Sequence, residues 1–563
     1  MNNPYKNIKD KLIGKIEKAY LTACENGELN KEEYDEITLD MPKEKAHGDF
    51  ATTFCMKMAK KLGKNPRETA EIIIKNIDRG DVISDIAVAG PGFINFTLDK
   101  KWLHDAICYA LSNKDTYGMV DIGNKKKVMV EFISANPTGP MHIGNARGGA
   151  LGDCLANVLN FAGYDCHKEF YVNDAGNQIE KFGLSLNCRF IQAVHGEDAI
   201  EFPEDAYHGD DIKESVNAFI ELYGAEKYDA MEEGERKKHL VDFALKRNIE
   251  KLQQDTGRYG INYDKWFFES ELHKNGDVMK VIEILKEKGY TYEQDNATWF
   301  KATEFGSEKD VVLIRGNSIP TYFAADIAYH KNKIERGFET LINIWGADHH
   351  GHVARMKGAL DALGLNGDRL DIILMQLVRL YKNGEVYRVS KRSGKAVTLS
   401  DLLDETGTDA ARFFFNLRQA NTHFDFDLDL AVSKSNDNPV FYVQYAHARI
   451  CSILNILKNE GIDTETMDEN VLKRLECAEE IELMEKIAHF PEEITLSALS
   501  YDPSKITKYT VELASAFHSF YNACHVKVDD AELQMARIML ISACMVTLKN
   551  ACKVLGITAP EKM

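Results

Sequence analysis

The amino-acid sequence predicts an α/β fold in which a doubly wound, Rossmann-like parallel sheet follows an α+β module and precedes an all-α domain. Two patterns carry this prediction. Between residues 128 and 172, a buried apolar run, a Gly/Pro-rich turn, an amphipathic helical pattern and a second apolar run follow one another, as in a right-handed strand–helix–strand unit. After about residue 436, the chain shows long helical periodicity and few glycines.

The chain divides into three predicted parts. Residues 1–120 alternate helical patterns with short apolar runs around a Gly90-Pro91-Gly92 turn, which predicts the α+β module. Residues 121–435 form the predicted sheet domain, which a strongly charged helical insertion interrupts at about 190–310. Residues 436–563 form the predicted helical domain. After the insertion, the strands of the sheet are expected to resume at residues 311–314, 340–345 and 372–377.

The composition is that of a globular protein. The 563 residues, of which 44% are hydrophobic, suffice for roughly three or four domains. A formal net charge of −19 disfavours a polyanionic partner, but basic stretches at residues 43–67 and 379–395 can supply local positive potential. The eleven cysteines occur singly, so neither a structural zinc nor a disulfide framework is expected. No apolar stretch approaches the roughly 20 residues that span a bilayer, so we expect a cytoplasmic protein without a membrane partner.

The junction of the first predicted strand and helix contains a candidate phosphate-binding motif, Pro-Met-His-Ile-Gly-Asn, at residues 140–145. A helix N-terminus offers free backbone N–H groups and a partial positive charge, which suits phosphate binding at the carboxyl edge of a parallel sheet. Gly144 would let a nucleotide lie against the backbone, and His142 can donate a hydrogen bond to phosphate as charge develops. The alternative interpretation is a tight turn with a packed histidine.

A second candidate motif is the basic Ser/Gly loop at residues 384–394. A flexible cation that meets the charge on a departing pyrophosphate only in the transition state lowers the barrier to reaction. Lys391 is the predicted cation, with Arg392 as its support. Taken alone, such a loop is more often a solvated turn. Because it follows the first motif along the chain and the two lie on either side of the predicted parallel sheet, we favour the interpretation as a catalytic loop.

The two motifs together resemble the HIGH and KMSKS signatures of class I aminoacyl-tRNA synthetases. Asn145 stands where the second histidine of the first signature usually lies; its amide can donate a hydrogen bond but cannot become cationic. Arg388 and Val389 replace the usual Lys and Met of the second signature. Four further segments resemble arginyl-tRNA synthetases in particular: YVNDAGNQ at 171–178, WGADHHGH at 345–352, YVQYAHAR at 442–449 and VLGITAP at 554–560.

The resemblance implies a reaction and its cofactors. ATP and L-arginine would form arginyl-adenylate, and the arginine would then pass to the 3′ end of tRNA(Arg), onto the 2′-OH if class I behaviour holds. Mg²⁺ would accompany ATP, held largely by phosphates and water. The resemblance also implies that tRNA is needed during activation, and it favours a monomer.

The resemblance further implies roles for individual residues in the sheet domain. Tyr322 and Asp326 would face the guanidinium of arginine; they lie one helical turn apart, so both can face one pocket, although a surface acid is the alternative for Asp326. The backbone end of arginine would be held by Glu131, Ser134 and Asn136, and Asp348 is a further arginine-binding candidate. The expected ATP contacts are His142, Gly144, Asn145, His352, Ser390 and Lys391. Catalysis is expected of His142, Asn145, Lys391 and Arg392.

RNA-binding residues are expected at both ends of the chain. The N-terminal module resembles a domain that grips the tRNA elbow, and Phe93 and Asn95 can stack on and hydrogen-bond an unstacked base. In the helical domain, Tyr442, Tyr445 and Arg449 would read the anticodon. A core or surface role is the alternative for all of these side chains.

Three other functions fit parts of the pattern. A different class I synthetase is disfavoured because the sequence has neither metal-binding cysteine pairs nor a long editing-type insertion. A non-catalytic tRNA-binding paralogue is disfavoured because it would be expected to lack His142 or Lys391, and both are present. A small-molecule adenylyltransferase shares the first motif but has no use for RNA-binding modules at both ends.

Overall fold

The computed structural model of the protein describes residues 3–42, 44–204, 206–387 and 397–563. It confirms the predicted fold class, since an α+β module, a domain with a parallel sheet and a helical domain follow one another along the chain.

The N-terminal module is a small antiparallel sheet flanked by helices. Its elements are α1 (Pro4–Glu25), β1 (Phe50–Thr52), α2 (Phe54–Leu62), α3 (Pro66–Asn76), β2 (Ile83–Ala89), β3 (Phe93–Leu98) and α4 (Lys101–Asn113). Strand β3 lies between β1 and β2, and its side chains Ile94, Phe96 and Leu98 are buried in alternation, so one face of the sheet packs into the core. Asn65 caps α3 ahead of Pro66, which satisfies a free N–H and fixes the first helical turn.

The middle of the chain is built around a parallel sheet of five strands. The elements of this region are β4 (Lys127–Glu131), α5 (Ile143–Phe161), β5 (Asp165–Val172), α6 (Asn177–His195), α7 (Asp210–Tyr223), α8 (Glu226–Asp229), α9 (Glu233–Arg258), β6 (Lys265–Phe268), α10 (Glu269–Lys274), α11 (Asp277–Glu287), β7 (Thr291–Gln294), β8 (Ala297–Phe300), β9 (Val311–Ile314), α12 (Tyr322–Glu335), β10 (Thr340–Gly346), α13 (His350–Leu363), β11 (Leu370–Met375), β12 (Val378–Lys382) and β13 (Glu385–Val386). The strand order is β6-β5-β4-β10-β11, and every neighbouring pair is parallel. The chain order reverses between β4 and β10, and in open α/β sheets ligands bind beyond the carboxyl ends of the strands at such a switch point.

The structure corrects two strand assignments in this domain. The strand expected at 311–314 forms as β9, but it belongs to a separate antiparallel sheet of order β7-β8-β9. The segment at about 190–310, which was expected only to interrupt the parallel sheet, supplies its edge strand β6 beside β5. Both errors arise because the apolar runs are short. A run of four residues does not show which strand it pairs with, and the Lys-Trp-Phe-Phe run of β6 is too brief to show a strand period.

The last part of the chain, residues 397–563, is helical apart from one short strand; that strand lies before residue 436, and the part predicted to be all-α, residues 436–563, is built from helices. Its elements are α14 (Leu399–Thr406), α15 (Thr408–Phe415), β14 (Phe424–Asp427), α16 (Leu428–Val432), α17 (Pro439–Asn459), α18 (Ala478–Ser500), α19 (Ser504–Ala523) and α20 (Ala531–Leu555). These helices pack against the N-terminal module: the Tyr117 hydroxyl donates to the carbonyl of Ile487 at 2.6 Å, and Asn550 Nδ2 donates to the carbonyl of Tyr117 at 2.9 Å. The two ends of the chain and helix α5 therefore share one continuous hydrophobic core.

Helix α20 contradicts the expectation that no apolar segment is long enough to cross a membrane. It has 25 residues, and its mean hydropathy reaches 1.6, so it qualifies by length and composition. In the structure, 72% of its apolar stretch is buried inside the protein. A core helix that is hydrophobic all round passes the same test, which makes the finding weak evidence for a membrane span.

Candidate active site

A strained turn follows strand β4 at the carboxyl edge of the sheet. Ile133 and Ser134 have positive φ angles of 69° and 43°, and the Ser134 N–H donates to the carbonyl of Phe132 at 3.0 Å. A β-branched residue rarely adopts such a φ, and strained backbone of this kind clusters at functional sites. The turn brings the Ser134 hydroxyl within 3.0 Å of Glu131 Oε1, to which it donates.

Behind this turn, Glu131 belongs to a buried polar network. Lys333 Nζ donates to Glu131 Oε2 at 2.5 Å and to Asn343 Oδ1 at 3.1 Å. Asn343 Nδ2 lies 2.9 Å from His330 Nε2, and His330 Nδ1 lies 2.7 Å from the carbonyl of Asp326. Burial, followed by the charge of Lys333, lowers the pKa of His330 well below its usual value. The ring is therefore neutral, with Nδ1 donating and Nε2 accepting, and the network connects the end of β4 to helix α12.

Helix α12 also carries the predicted guanidinium-binding pair, Tyr322 and Asp326. The Tyr322 hydroxyl accepts from the backbone N–H of Gln178 at 3.3 Å. His352 Nε2 lies 3.2 Å from Asp326 Oδ2, and both side chains are partly exposed. The structure thus brings a predicted arginine-binding residue and a predicted ATP-binding residue into direct contact.

Beside Tyr322 lies a cavity of about 280 Å³, which two acidic side chains, Glu180 and Glu269, help to line. Glu269 is only 2% exposed, and His273 Nε2 lies 3.3 Å from its Oε1. The pKa of the neighbouring Tyr171 hydroxyl is raised well above its usual value, chiefly by burial and then by the charges of Glu269, Asp326 and Glu131. Arg315 lines the cavity as well, so the carboxylates of Glu180 and Glu269 share it with one guanidinium.

Helix α5 presents its N-terminus at the same edge. His142 is the exposed N-cap residue, and Asn145 Oδ1 accepts from its backbone N–H at 3.2 Å. A side chain added at Gly144 would meet no atom within 4 Å, so the space next to this backbone is open. At this helix start the Ile143 and Asn145 N–H groups donate to the carbonyls of Val397 and His142, so the Gly144 N–H, next to the open space, is the group placed to meet a phosphate.

The residues that follow the predicted cationic loop lie next to the start of α5. Ser390, Lys391 and Arg392, together with Arg388 and Val389, lie outside the described residues. Immediately after them, the Leu399 N–H donates to the carbonyl of Met141 at 2.9 Å, and the Ile143 N–H donates to the carbonyl of Val397 at 3.3 Å. The chain that leaves the loop is therefore hydrogen-bonded to the residues on either side of His142.

Two other predicted arginine-binding residues make fewer contacts. Asn136 is exposed in the turn before α5. Asp348 follows β10 with its side chain 83% exposed, 3.8 Å from His349 Nε2. Both are open to solvent in this structure, unlike Glu131.

The predicted tRNA-binding residues fall into two groups. Phe93 and Asn95 lie two residues apart on β3, and therefore on one face of the sheet; Phe93 is partly exposed, and Asn95 is 9% exposed. In the helical domain, the rings of Tyr442 and Tyr445 lie 4.5 Å and 5.9 Å from that of His518. Arg449 donates to the hydroxyls of Tyr445, at 3.4 Å, and Tyr521, at 2.6 Å. The three predicted residues of the helical domain thus belong to one aromatic cluster on α17 and α19.

Sequence reasoning missed several polar residues of these sites. Lys333 and His330 follow Asp326 at positions i+7 and i+4, a spacing that puts all three on one helix face and could have revealed the network. Glu269 follows strand β6 directly, so it escaped notice together with that strand. His518 and Tyr521 come from a helix with no motif, and no local signal marks them.

The open parallel sheet, the helix start that carries His142 at its switch point and the flanking helical domain define a class I aminoacyl-tRNA synthetase. A family model for the class I (R) catalytic domain of tRNA synthetases matches residues 106–425. A model for the arginyl-tRNA synthetase N-terminal domain matches residues 6–98, and one for the DALR anticodon binding domain matches residues 443–563.

Full-length relatives agree with these models. An arginine–tRNA ligase of Acetivibrio thermocellus is 54% identical over 100% of both chains, and that of Ruminiclostridium cellulolyticum is 53% identical over 99% of this chain and 100% of its own. The fold is also that of Thermus thermophilus arginyl-tRNA synthetase, with a TM-score of 0.76 at 20% identity over 99% of this chain and 100% of the other. The chain belongs to the arginyl-tRNA synthetase family, and its function is the ATP-dependent ligation of arginine to tRNA.

Proposed function

We propose that the protein activates L-arginine at the carboxyl edge of the central sheet, between the acidic cavity and the N-terminus of α5, and then transfers it to tRNA(Arg). The observation that carries this proposal is that two sites of different character lie along one edge of the sheet. Carboxylates suited to a guanidinium lie on one side, and the start of α5, with the open backbone at Gly144, lies on the other.

The guanidinium of arginine is bound by Tyr322, Asp326 and Glu269. A planar guanidinium pairs best with carboxylates that accept two parallel N–H bonds. Glu269 is almost fully buried, and the charges of Glu269 and Asp326 both add to burial in raising the pKa of Tyr171, so both carboxylates lie near this ring. This set adds the buried Glu269 to the pair expected from the sequence.

The α-amino end of arginine is held by Glu131, Ser134 and Asn136, with Asp348 as a further contact. Lys333 already balances the charge of Glu131, so Glu131 orients the ammonium without adding a second uncompensated anion to the pocket. Asp326 and Glu269 are then the carboxylates that pair with a second cationic group of the substrate, its side chain. This division of charge favours arginine over amino acids with a neutral side chain.

ATP lies over Gly144, against the N–H groups of α5, with His142, Asn145 and His352 as polar contacts. The arginine carboxylate is itself the nucleophile at the α-phosphate, so alignment and charge stabilisation are what the enzyme contributes. Lys391, with Arg392 and Ser390, meets the charge of the departing pyrophosphate. Mg²⁺ accompanies ATP and is held largely by phosphate oxygens and water.

In the second step, the 2′-OH of the terminal adenosine attacks the adenylate. Phe93 and Asn95 on the N-terminal sheet contact an unstacked base of the tRNA body, and Tyr442, Tyr445 and Arg449 contact the anticodon. The aromatic cluster around Arg449 supports this assignment, because base stacking on aromatic rings and on Arg is the usual mode of single-strand recognition. The enzyme works as a cytoplasmic monomer without structural zinc or a membrane partner, and it needs tRNA for activation.

The test is ATP–pyrophosphate exchange with each of the amino acids, measured with and without tRNA(Arg). Exchange should require arginine and should rise when tRNA is added. An E269Q variant should need more arginine for the same rate, while a surface control on α12, E335Q, should behave as the wild type. Exchange supported equally by lysine or by a neutral amino acid would contradict the assigned pocket.

A further inference from the structure

Two cysteine side chains meet in the helical domain, outside the sites described above. Cys477 is the N-cap residue of α18, and Cys524 directly follows the last residue of α19. Their sulfur atoms lie no more than 4.8 Å apart. In the sequence each of them stands alone, and only the fold brings the thiols together.

The two thiols differ in their access to solvent. All eleven cysteines lie in the described residues, and Cys477 alone among them is exposed. Cys524 is 4% exposed. A reagent from solution can therefore reach the first sulfur directly, while the second lies beneath it.

A carboxylate, Glu480, lies within the same 4.8 Å, so a metal ion is the first alternative to consider. Both oxygens of this carboxylate are already used: Oε1 accepts from Arg537 Nε at 2.7 Å, and Oε2 accepts from the backbone N–H of Cys477 at 2.9 Å. The guanidinium of Arg537 is itself buried, and its positive charge opposes a cation beside it. The groups left free to react are the two sulfurs.

We propose that Cys477 and Cys524 form a reversible disulfide when the protein meets hydrogen peroxide. Cys477 is the exposed sulfur of the pair and therefore the one that peroxide meets first; the thiolate is the reactive form of a cysteine. That thiolate attacks one oxygen of the peroxide; an S–O bond forms, the O–O bond breaks, and the departing hydroxide takes up a proton to become water. Cys477 is now a sulfenic acid.

The second step closes the bond. The Cys524 sulfur attacks the Cys477 sulfur, the S–S bond forms, the S–O bond breaks, and hydroxide leaves with the Cys524 proton as a second water. Two thiols are oxidised by two electrons, and one peroxide is reduced to two waters. Burial, with the charge of Glu480 adding to it, raises the pKa of Cys524 to about 11, so this residue acts second and not as the first nucleophile.

The bond would join the start of α18 to the end of α19. Helix α19 carries His518 and Tyr521 of the aromatic cluster, so the cross-link restrains an element that the proposed anticodon site uses. A thiol reductant returns both residues to thiols, as in other regulatory disulfides.

The experiment treats the full-length reduced enzyme with hydrogen peroxide, blocks the remaining thiols with N-ethylmaleimide, and analyses a non-reduced digest by mass spectrometry. The expected result is a peptide pair linked through Cys477 and Cys524, a loss of two thiols, reversal by dithiothreitol, and a higher thermal midpoint for the oxidised enzyme. C477S should abolish all four changes. C108S, which removes a partly exposed cysteine, should leave them intact.

Other outcomes would overturn the proposal. Cys477 recovered as sulfinic acid, or in a bond between two chains, would show that Cys524 does not reach it. Stoichiometric binding of Zn²⁺ to the reduced enzyme that C477S eliminates would identify a metal site instead. C524S should abolish the same changes, but Cys524 is buried and its serine variant need not fold. C477S then suffices as the test, because Cys477 is exposed and serine keeps an N-cap side chain.

Discussion

Replacing Lys333 by methionine tests whether the buried ion pair behind the arginine site stabilises the catalytic domain. Lys333 is fully buried, Glu131 is 6% exposed, and Lys333 Nζ lies 2.5 Å from Glu131 Oε2. Methionine keeps the length of the side chain but has neither its charge nor its donors. Glu131 would then hold a buried charge with one oxygen unpaired, and Asn343 Oδ1 would lose its donor as well.

The expected loss in the free energy of unfolding is about 3–5 kcal/mol, because removing one partner of a buried pair leaves the other charge uncompensated. Guanidinium unfolding followed by tryptophan fluorescence measures it, since three of the four tryptophans, Trp266, Trp299 and Trp345, lie in the catalytic domain. The double variant K333M/E131Q should lose less than the sum of the two single changes, because the second change removes the stranded charge.

Lys331 provides a matched control on the same helix. It pairs with Glu335, whose side chain is 57% exposed, so K331M should change the free energy of unfolding by no more than about 1 kcal/mol. If K333M unfolds at the same denaturant concentration as K331M, or if the single losses add in the double variant, the Lys333–Glu131 pair does not hold the domain together.

Three further changes test the site and the domain interface. D326N should raise the KM for arginine in pyrophosphate exchange by roughly 10- to 100-fold, the cost of one charge-assisted hydrogen bond, whereas an unchanged KM would mean that the guanidinium binds elsewhere. K391A should lower kcat by on the order of 10²-fold or more with little change in arginine affinity, because its contact forms in the transition state; normal turnover would refute the loop assignment. His489 on α18 packs against Tyr5 and Trp102 of the N-terminal module. Burial lowers its pKa from 6.5 to about 4, so between these values only the unfolded state binds the proton. Stability is then full above pH 6.5 and falls as the pH drops towards 4, by up to about 1.4 kcal/mol per pH unit, and H489Q should show a shallower loss in acid denaturation than the wild type; equal slopes would contradict the assignment.

The positions that the sequence could predict are those that depend only on local order along the chain. The helix that starts at Ile143 follows a buried strand and a Gly/Pro turn, so its N-terminus could be expected at the edge of a parallel sheet. Tyr322 and Asp326 needed only the period of one helix. His142, Gly144 and this pair accordingly lie on the elements that were expected to carry them.

The residues that were missed depend on which elements meet. Lys333 stands between two other basic residues, Lys331 and Arg336, a spacing that is typical of a solvated helix face. It becomes the partner of Glu131 only because β4 and α12 pack together, a contact that periodicity does not specify. The position of Glu269 at the site depends in the same way on tertiary packing, because Glu269 directly follows β6 and β6 pairs with β5. Sequence patterns therefore predict where the strands and helices of the site begin and end, whereas the charge balance of the site depends on tertiary packing.

The fold joins the first signature motif to the chain that follows the second. From the sequence, only their order along the chain connected them. In the fold, Met141 and Ile143, on either side of His142, are hydrogen-bonded to Leu399 and Val397, directly after the cationic loop. The Asn145 side chain fixes the same helix start by accepting the His142 N–H, and its amide N–H groups can still serve a phosphate oxygen. Asparagine in place of the second signature histidine is thus compatible with the helix start, since its carbonyl orders the backbone that must meet the phosphate.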